Sequence, residues 1–185
     1  MEAFFVSAGL VAVAEIGDKT QLLAMLLAAR YRQPVAIILG ILAATLANHA
    51  LAAWAGAAMA GWLGPEVMRW GLAVAFIAMA VWCLIPDKAG EAPRAIGKAG
   101  AFAATAVAFF LVEMGDKTQI ATVALAARFN DVAIVTAGTT VGMMLANVPA
   151  VLAGDAIARN VPLKLMRALA AASFVILAGL ALVYA

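Results

Sequence analysis

The sequence predicts an all-α, polytopic membrane protein with six transmembrane helices, arranged as two inverted repeats of three helices each. The first observation is composition: of 185 residues, 67% are hydrophobic and 12% are charged, and the mean hydropathy is +1.06. A soluble domain of this size does not tolerate so apolar a composition. The second observation is a series of six apolar stretches of spanning length. The third is a heptapeptide that occurs twice, each time inside one of those stretches.

The six apolar stretches are each long enough to cross the hydrocarbon core of a bilayer, which takes about 20 residues of helix. They comprise, approximately, Phe4–Ala29, Val35–Trp62, Val67–Ile85, Ala101–Ala127, Val132–Ala158 and Leu163–Tyr184. The longest polar interval, Pro86–Lys98, separates the third stretch from the fourth. We therefore predict a first three-helix repeat over residues 1–86, a linker over 87–99 and a second three-helix repeat over 100–185.

The second half of the chain repeats the first. Residues 15–30 and 113–128 are identical at ten of 16 positions, and the tripeptide Leu-Ala-Asn that ends at Asn48 returns at Asn147. A duplication of this length indicates a repeated structural unit. Because each unit has an odd number of spans, the second enters the membrane from the opposite face, which makes the repeats inverted. Transporters with inverted repeats bind substrate near the bilayer midplane, between the two halves.

The distribution of Lys and Arg predicts the orientation in the membrane. Two repeat-equivalent pairs of arginines lie on opposite faces and cancel: Arg30 with Arg128, and Arg69 with Arg167. The remaining basic residues of the loops all follow spans one, three or five: Arg32, Lys88, Arg94, Lys98, Arg159 and Lys164. Cytoplasmic loops carry the excess of Lys and Arg, so we expect a cytoplasmic linker and both termini outside.

The repeated heptapeptide, Glu15–Gln21 and Glu113–Gln119, brings charge into the middle of a predicted span. A charged side chain at the bilayer centre costs about 2.5 to 3.5 kcal/mol, so such residues are functional by default. Each copy has two acids spaced three apart, which on a continuous helix share one face: Glu15 with Asp18, and Glu113 with Asp116. Gly17 and Gly115 stand between the acids, and glycine weakens a helix by about 1 kcal/mol relative to alanine. Local unwinding there would expose backbone carbonyl oxygens as further ligands.

The two copies together offer four carboxylates, which predict a metal site formed by Glu15, Asp18, Glu113 and Asp116. Hydroxyl and amide groups lie beside them and are expected to support the site: Thr20, Gln21, Thr118 and Gln119. Hard oxygen donors suit Mg2+, Ca2+ or Mn2+. Because neighbouring carboxylates repel one another, an empty site would hold protons and release them when the metal enters. This favours exchange of a divalent cation for protons.

Two further pairs of polar residues are open to more than one interpretation. Lys19 and Lys117 point away from the adjacent aspartates on a helix, so each either pairs with a carboxylate of the other repeat or replaces the cation in an empty site. A purely structural ion-pair network between the halves is the alternative to a metal site. Asn48 and Asn147 either form interhelical hydrogen bonds or line the ion pathway.

Other kinds of site and partner find little support. The net charge of +2 is too small and too scattered to indicate nucleic-acid binding. One cysteine, Cys83, and one histidine, His49, exclude an internal disulfide and a Cys/His metal site. We therefore expect no cofactor beyond the transported ion, with a divalent metal ion, protons and the lipid bilayer as partners. The oligomeric state stays open.

The doubled Glu-x-Gly-Asp-Lys-Thr signature, on the first and fourth of six spans, resembles that of the membrane family containing bacterial MneA-type manganese exporters and the eukaryotic Golgi calcium/manganese transporters. The resemblance extends over essentially all 185 residues. It implies divalent cation transport, with manganese export in bacteria and proton exchange in eukaryotic members. The long N-terminal extension of eukaryotic members is absent, so we expect a bacterial inner-membrane protein. The family's acidic motif positions fall on Glu15, Asp18, Glu113 and Asp116.

The expected function is that of a secondary transporter and not an enzyme. It would export Mn2+, with Ca2+ as the alternative ion, by alternating access around one midplane site. A divalent cation channel is one rival, but conduction requires weak or multiple sites, whereas four convergent carboxylates indicate a tight one. An intramembrane lipid-phosphate enzyme is the other rival. It would need phosphate-binding Arg and Ser beside the acids, and the motif has neither.

Overall fold

The computed structural model describes residues 1–85, 100–153 and 163–184, and all the regular secondary structure in these ranges is helical. The helices are α1 (Glu2–Glu15), α2 (Lys19–Tyr31), α3 (Pro34–Trp62), α4 (Pro65–Leu84), α5 (Ala101–Glu113), α6 (Lys117–Phe129), α7 (Val132–Ala153) and α8 (Leu163–Tyr184). The all-α class is therefore confirmed. The predicted linker at 87–99 and the predicted end of the fifth span at Ala158 lie outside the described residues.

Four of these helices are long and apolar enough to cross a membrane: α3, α4, α7 and α8. Pro34 and Pro65 occupy the first turns of α3 and α4, where the missing amide hydrogen of proline breaks no helical bond. Many large apolar side chains of the four helices are exposed, among them Trp54 and Leu145. A continuous apolar surface of this kind suits contact with lipid.

The first and fourth predicted spans are not continuous helices. Phe4–Ala29 is divided between α1 and α2, and Ala101–Ala127 is divided between α5 and α6. Gly17 has a φ angle of +81° and Gly115 one of +75°. Glycine adopts this left-handed conformation without the steric cost that a Cβ atom imposes. The prediction that these glycines permit local unwinding is confirmed.

The breaks correct a prediction about the acids, which do not share a face of one helix. Glu15 is the last residue of α1, whereas Asp18 is the N-cap of α2. Glu113 and Asp116 hold the same two places at the end of α5 and the start of α6. The spacing argument failed because the backbone between the acids leaves the helical conformation. The Asp18 N–H still donates to the Glu15 carbonyl at 3.0 Å, which keeps the turn tight.

The first half of each broken helix packs on the long helix of the other repeat, α1 on α7 and α5 on α3. Both contacts depend on a repeat-equivalent glycine, Gly138 in α7 and Gly40 in α3. A Cβ atom on Gly138 would lie 2.6 Å from the Phe4 carbonyl oxygen, and one on Gly40 would lie 2.7 Å from that of Phe102. The helix backbones therefore approach each other more closely than any side chain at these positions would allow.

The two broken helices lie side by side at the centre of the molecule, with α1 against α6 and α2 against α5. Outside them, α4 and α8 pack on each other, with the rings of Phe76 and Phe174 6.2 Å apart. This pair also covers α1 and α6, with which it forms one apolar cluster. The other apolar cluster joins α2 and α5 to α3 and α7 around Ile37, Ile41 and Phe109. The pair of helices α4 and α8 therefore covers the α1 and α6 halves of the two broken helices, and not the α2 and α5 halves.

Candidate metal centre

Three buried carboxylates meet where the two helix breaks adjoin: those of Glu15, Glu113 and Asp116. Each offers one ligand oxygen, and these oxygens lie within 4.8 Å of one another. All three side chains are buried. Within residues 1–85, 100–153 and 163–184, three of their oxygens have no hydrogen-bond partner: Glu15 Oε1, Glu113 Oε1 and Asp116 Oδ2. We refer to this group as the three-carboxylate cluster.

A threonine orients each glutamate of the cluster. Thr20 Oγ1 donates to Glu15 Oε2 at 2.6 Å, and Thr118 Oγ1 donates to Glu113 Oε2 at 3.0 Å. Each bond crosses a helix break, from the first turn of α2 or α6 back to the last residue of α1 or α5. One oxygen of each glutamate is thereby fixed, and the other is left for the cluster. The threonines thus support the site through the glutamates.

The motif lysines form ion pairs with the aspartates of the opposite repeat. Lys19 Nζ lies 2.9 Å from Asp116 Oδ1, and Lys117 Nζ lies 2.9 Å from Asp18 Oδ2. Both lysines therefore pair with a carboxylate of the opposite repeat, and the partner of Lys19, Asp116, is a member of the three-carboxylate cluster. Asp18 also accepts the Lys19 backbone N–H at 2.6 Å as the N-cap of α2. Of the four predicted acids, Asp18 is the one that does not belong to the three-carboxylate cluster.

The two motif glutamines accept hydrogen bonds from the glycine backbone at the helix breaks. The Gly17 N–H donates to Gln21 Oε1 at 3.0 Å, and the Gly115 N–H donates to Gln119 Oε1 at 2.7 Å. Gln21 Nε2 also donates to the carbonyl of Ala146 in α7 at 3.0 Å. Both amide oxygens are bound to backbone and both side chains tie the unwound turn to its surroundings, so the glutamines support the site indirectly.

The two asparagines differ in their contacts. Asn48 Nδ2 donates to the Phe110 carbonyl of α5 at 3.0 Å, and its Oδ1 accepts from Gln119 Nε2 at 3.4 Å, so the interhelical interpretation is confirmed for Asn48. Asn147 Nδ2 donates to the Met143 carbonyl of its own helix at 3.1 Å, and its Oδ1 has no hydrogen-bond partner in the described residues. The second repeat has one extra residue before the asparagine. On a helix this turns the side chain by about 100°.

The electrostatic character of the centre suits a cation. The C-terminal ends of α1 and α5 meet the N-terminal ends of α2 and α6 here, so the opposite partial charges of the helix ends largely offset one another and the carboxylates determine the character of the centre. Carboxylate oxygens without partners in a buried place are costly unless a cation or protons compensate them. The donor set consists of hard oxygens, which suits Mg2+, Ca2+ and Mn2+ better than metals that prefer sulfur or imidazole.

Comparison with known proteins identifies the family. The family model described as "Divalent cation/proton antiporter GDT1" matches residues 3–91 and 101–185. The chain belongs to the GDT1 family. It is also 51% identical over 179 residues to a protein of Vibrio cholerae serotype O1 named "Putative manganese exporter", a match that covers 96% of this chain and 89% of that protein. No solved structure matches the chain.

Membership of the GDT1 family confirms the resemblance indicated by the doubled motif. The match includes both copies, Glu15–Gln21 and Glu113–Gln119. GDT1 proteins are cation/proton antiporters, so the chain is a divalent cation transporter and not an enzyme. The lipid-phosphate enzyme is thereby excluded.

One signal in the sequence could have located the helix breaks. Asp18 and Gln21 have the spacing of a capping box, in which an N-cap residue is followed three residues later by Glu or Gln. The Asp-Lys-Thr-Gln segment therefore reads as a helix start, and the structure indeed begins α2 at Lys19. The backbone acceptors Ala146 and Phe110 carry no such signal, because any residue supplies a carbonyl.

Proposed function

We propose that the chain exports Mn2+ from the cytoplasm in exchange for protons, with the metal bound at the three-carboxylate cluster while Asp18 stays paired with Lys117. The observation that carries this proposal is the convergence of three buried carboxylates, from both motif copies, to within 4.8 Å. Their unpaired oxygens offer a divalent cation a set of hard ligands. A purely structural ion-pair network would leave no such oxygens unpaired.

The balance of charges supports exchange against protons. With every group ionised, the four motif acids and two motif lysines carry two negative charges in excess. One divalent cation neutralises that excess, and so do two protons. Because uncompensated charge is costly in a buried place, each species should displace the other. The family description, a divalent cation/proton antiporter, agrees with this.

The choice of Mn2+ draws on the relative from Vibrio cholerae, whose name describes a manganese exporter. Half of the residues are identical over nearly the whole chain. Oxygen ligands bind Ca2+ as well, with more ligands at longer distances, so Ca2+ is the competing substrate. The competition is decided by measurement, as described below.

We infer that the two broken helices each cross the membrane, which gives six spans in two inverted repeats. At 1.5 Å per residue, α1 with α2 has a length of about 40 Å, enough for a hydrocarbon core about 30 Å thick. The packing of α1 on α6 and of α2 on α5 is what two antiparallel broken helices require. Their breaks then lie near the midplane, where transporters of this architecture bind substrate.

The helices α4 and α8 pack on only one half of each broken helix, and this asymmetry supports alternating access. The pair α4 and α8 covers α1 and α6, while α2 and α5 rest on α3 and α7. With a cytoplasmic linker and both termini outside, α2 and α5 lie on the cytoplasmic side of the inner membrane. The side of the centre without this cover then faces the cytoplasm, from which an exporter takes its substrate.

The test is metal flux in proteoliposomes with an imposed pH gradient. We expect uptake of Mn2+ driven by protons, saturating with concentration, with Ca2+ and Mg2+ as competitors of measured rank. Asp116→Asn should abolish the flux, whereas Asp131→Asn should not, because Asp131 is a helix-capping residue outside the motifs. Flux that neither saturates nor responds to the pH gradient would indicate a channel. Normal flux in Asp116→Asn would overturn the site.

A further inference from the structure

The two motif lysines are equivalent in sequence but not in surroundings. Their ion pairs have the same length, 2.9 Å. The Lys19 side chain is 25% exposed, whereas that of Lys117 is 6% exposed. Their partners differ as well, because Asp116 belongs to the three-carboxylate cluster and Asp18 does not. Only the Lys19 pair therefore involves a residue of the cluster.

We propose that Lys19 is an internal counter-cation of the transport site, held by Asp116 when the site is free of metal and displaced when the metal binds. Lys117, in contrast, is a fixed partner of Asp18 that ties the repeats together. This inference rests on the proposed function, since it takes the three-carboxylate cluster as the metal site. It assigns different roles to two identical residues.

The two carboxylate oxygens of Asp116 have different partners. Oδ1 is paired with the Lys19 ammonium, and Oδ2 is the oxygen without a hydrogen-bond partner in the described residues. A metal ion bound at Oδ2 would lie within a few ångströms of the ammonium group. A divalent cation and an ammonium group repel each other strongly at that distance in a buried place. One of the two must leave, and the side chain that is partly exposed is free to do so.

The surroundings of the two lysines differ in whether the ammonium group can withdraw from its aspartate towards solvent. Lys19 begins α2, which lies away from the α4 and α8 pair, and its flexible stem can carry the charged group towards solvent. Lys117 begins α6, which α4 covers, so withdrawal of its ammonium group would bury an unpaired charge. The fold therefore allows one lysine to move and retains the other.

Lys19 also affects release of the metal from the cluster. When the ion leaves, Lys19 returns to Asp116, so that carboxylate is never left buried without a cation. The returning ammonium competes with the metal, which weakens binding and speeds release. Removal of the Lys19 charge should therefore trap the metal at the site.

The experiment compares Mn2+ binding by wild type, Lys19→Gln, Lys19→Arg and Lys117→Gln, each purified in detergent. We expect Lys19→Gln to bind Mn2+ at least about tenfold more tightly and to transport it more slowly, because a competing positive charge is gone. Lys19→Arg keeps the charge and should bind as wild type does. Lys117→Gln is the comparison variant: it leaves the buried Asp18 carboxylate without its ammonium partner, so it should lower the Tm and should not tighten Mn2+ binding as Lys19→Gln does. A gain in affinity is not what a misfolded site produces.

A second measurement uses the wild-type protein and so does not depend on any variant folding. Acylation of lysine by a water-soluble reagent, read by mass spectrometry, should increase several-fold at Lys19 when Mn2+ is added and stay constant at Lys117. Unchanged Lys19 labelling in a protein that binds Mn2+ would overturn the proposal, as would equal tightening in Lys19→Gln and Lys117→Gln. Binding of Mn2+ without a change in Lys19 labelling overturns only the role of Lys19. If the wild type binds no Mn2+, the proposed function itself fails, so the two failures are distinguishable.

Discussion

Helices α2 and α6 begin with the same motif and occupy the same place in their repeats, yet α4 packs on α6 whereas α2 lies away from α4. Leu26 in α2 is 53% exposed, whereas its equivalent Ala124 in α6 is 5% exposed. The small alanine lies where α4 packs on α6. The comparison teaches that this duplicated chain holds its two halves in different environments, although the chemistry at the centre is the same in both.

The first halves of the broken helices show the same difference. Leu111 in α5 and Met114 just after it are each 57% exposed, whereas their equivalents, Val13 in α1 and Ile16 just after it, are half-buried. The less covered side is thus made by α2 together with α5. In a transporter with inverted repeats, exchanging the two environments between the halves is what moves the site from one side of the membrane to the other.

The largest expected effect tests whether the repeats contribute equally at the centre. Glu15→Gln and Glu113→Gln should each weaken Mn2+ binding at least about 100-fold, because a charged partner lost from a buried site is worth about 3 kcal/mol. Isothermal titration in detergent measures this. Glu66→Gln is the control, since Glu66 lies in α4 outside the cluster and its side chain is exposed. A large loss in only one of the two glutamate variants would mean that the repeats do not share the site.

The next effect concerns the two glycine contacts, which are alike in the two repeats. Gly40→Ala and Gly138→Ala should each lower the free energy of unfolding by about 1 to 3 kcal/mol, because the added Cβ meets a backbone carbonyl. Thermal unfolding in detergent would show a lower Tm for both. Gly9→Ala is the control, since its Cβ meets no atom within 4 Å and alanine favours the helix. An unchanged Tm in either glycine variant would refute the close approach at that contact.

A smaller effect tests the difference in cover. In a Cys83→Ala background, a cysteine at position 26 should react with a water-soluble maleimide several-fold faster than one at position 124. The reason is that Leu26 is exposed, whereas Ala124 is buried where α4 packs on α6. Equal reaction rates at positions 26 and 124 would mean that the two helices do not differ in access to water. The proposed difference between the cytoplasmic and the opposite side would then be refuted.

The smallest effect concerns the threonines that orient the glutamates. Thr20→Val and Thr118→Val should each weaken Mn2+ binding about tenfold, because each removes one hydrogen bond to a carboxylate worth about 1.5 kcal/mol. Radioactive Mn2+ binding to purified protein is sensitive enough. Thr140→Val is the control, because the buried Thr140 hydroxyl of α7 has no hydrogen-bond partner among the described residues. An effect in one threonine variant only would extend the asymmetry of the repeats to the centre itself.

The sequence was sufficient to predict the helical class, the duplication and three carboxylates that meet at the helix breaks, those of Glu15, Glu113 and Asp116. It was not sufficient for the geometry of the acids, because their spacing was interpreted on a continuous helix. The φ angle of +81° at Gly17 invalidated that premise. The different environments of α2 and α6 could not be predicted either, since identical motif residues carry no information about which helix α4 covers. Asn147 shows the same limit, because one inserted residue redirects its side chain within α7.

The crossed pairs of lysine and aspartate have a consequence for biosynthesis. Asp18 has its ammonium partner about one hundred residues later in the chain, at Lys117, and Lys19 has its carboxylate partner at Asp116. The amino-terminal half therefore leaves the ribosome with acidic groups and an amine whose native counterparts have yet to be translated. Maturation of the centre has to wait for the last half of translation, and a truncated product exposes charges that quality-control proteases in the membrane can recognise.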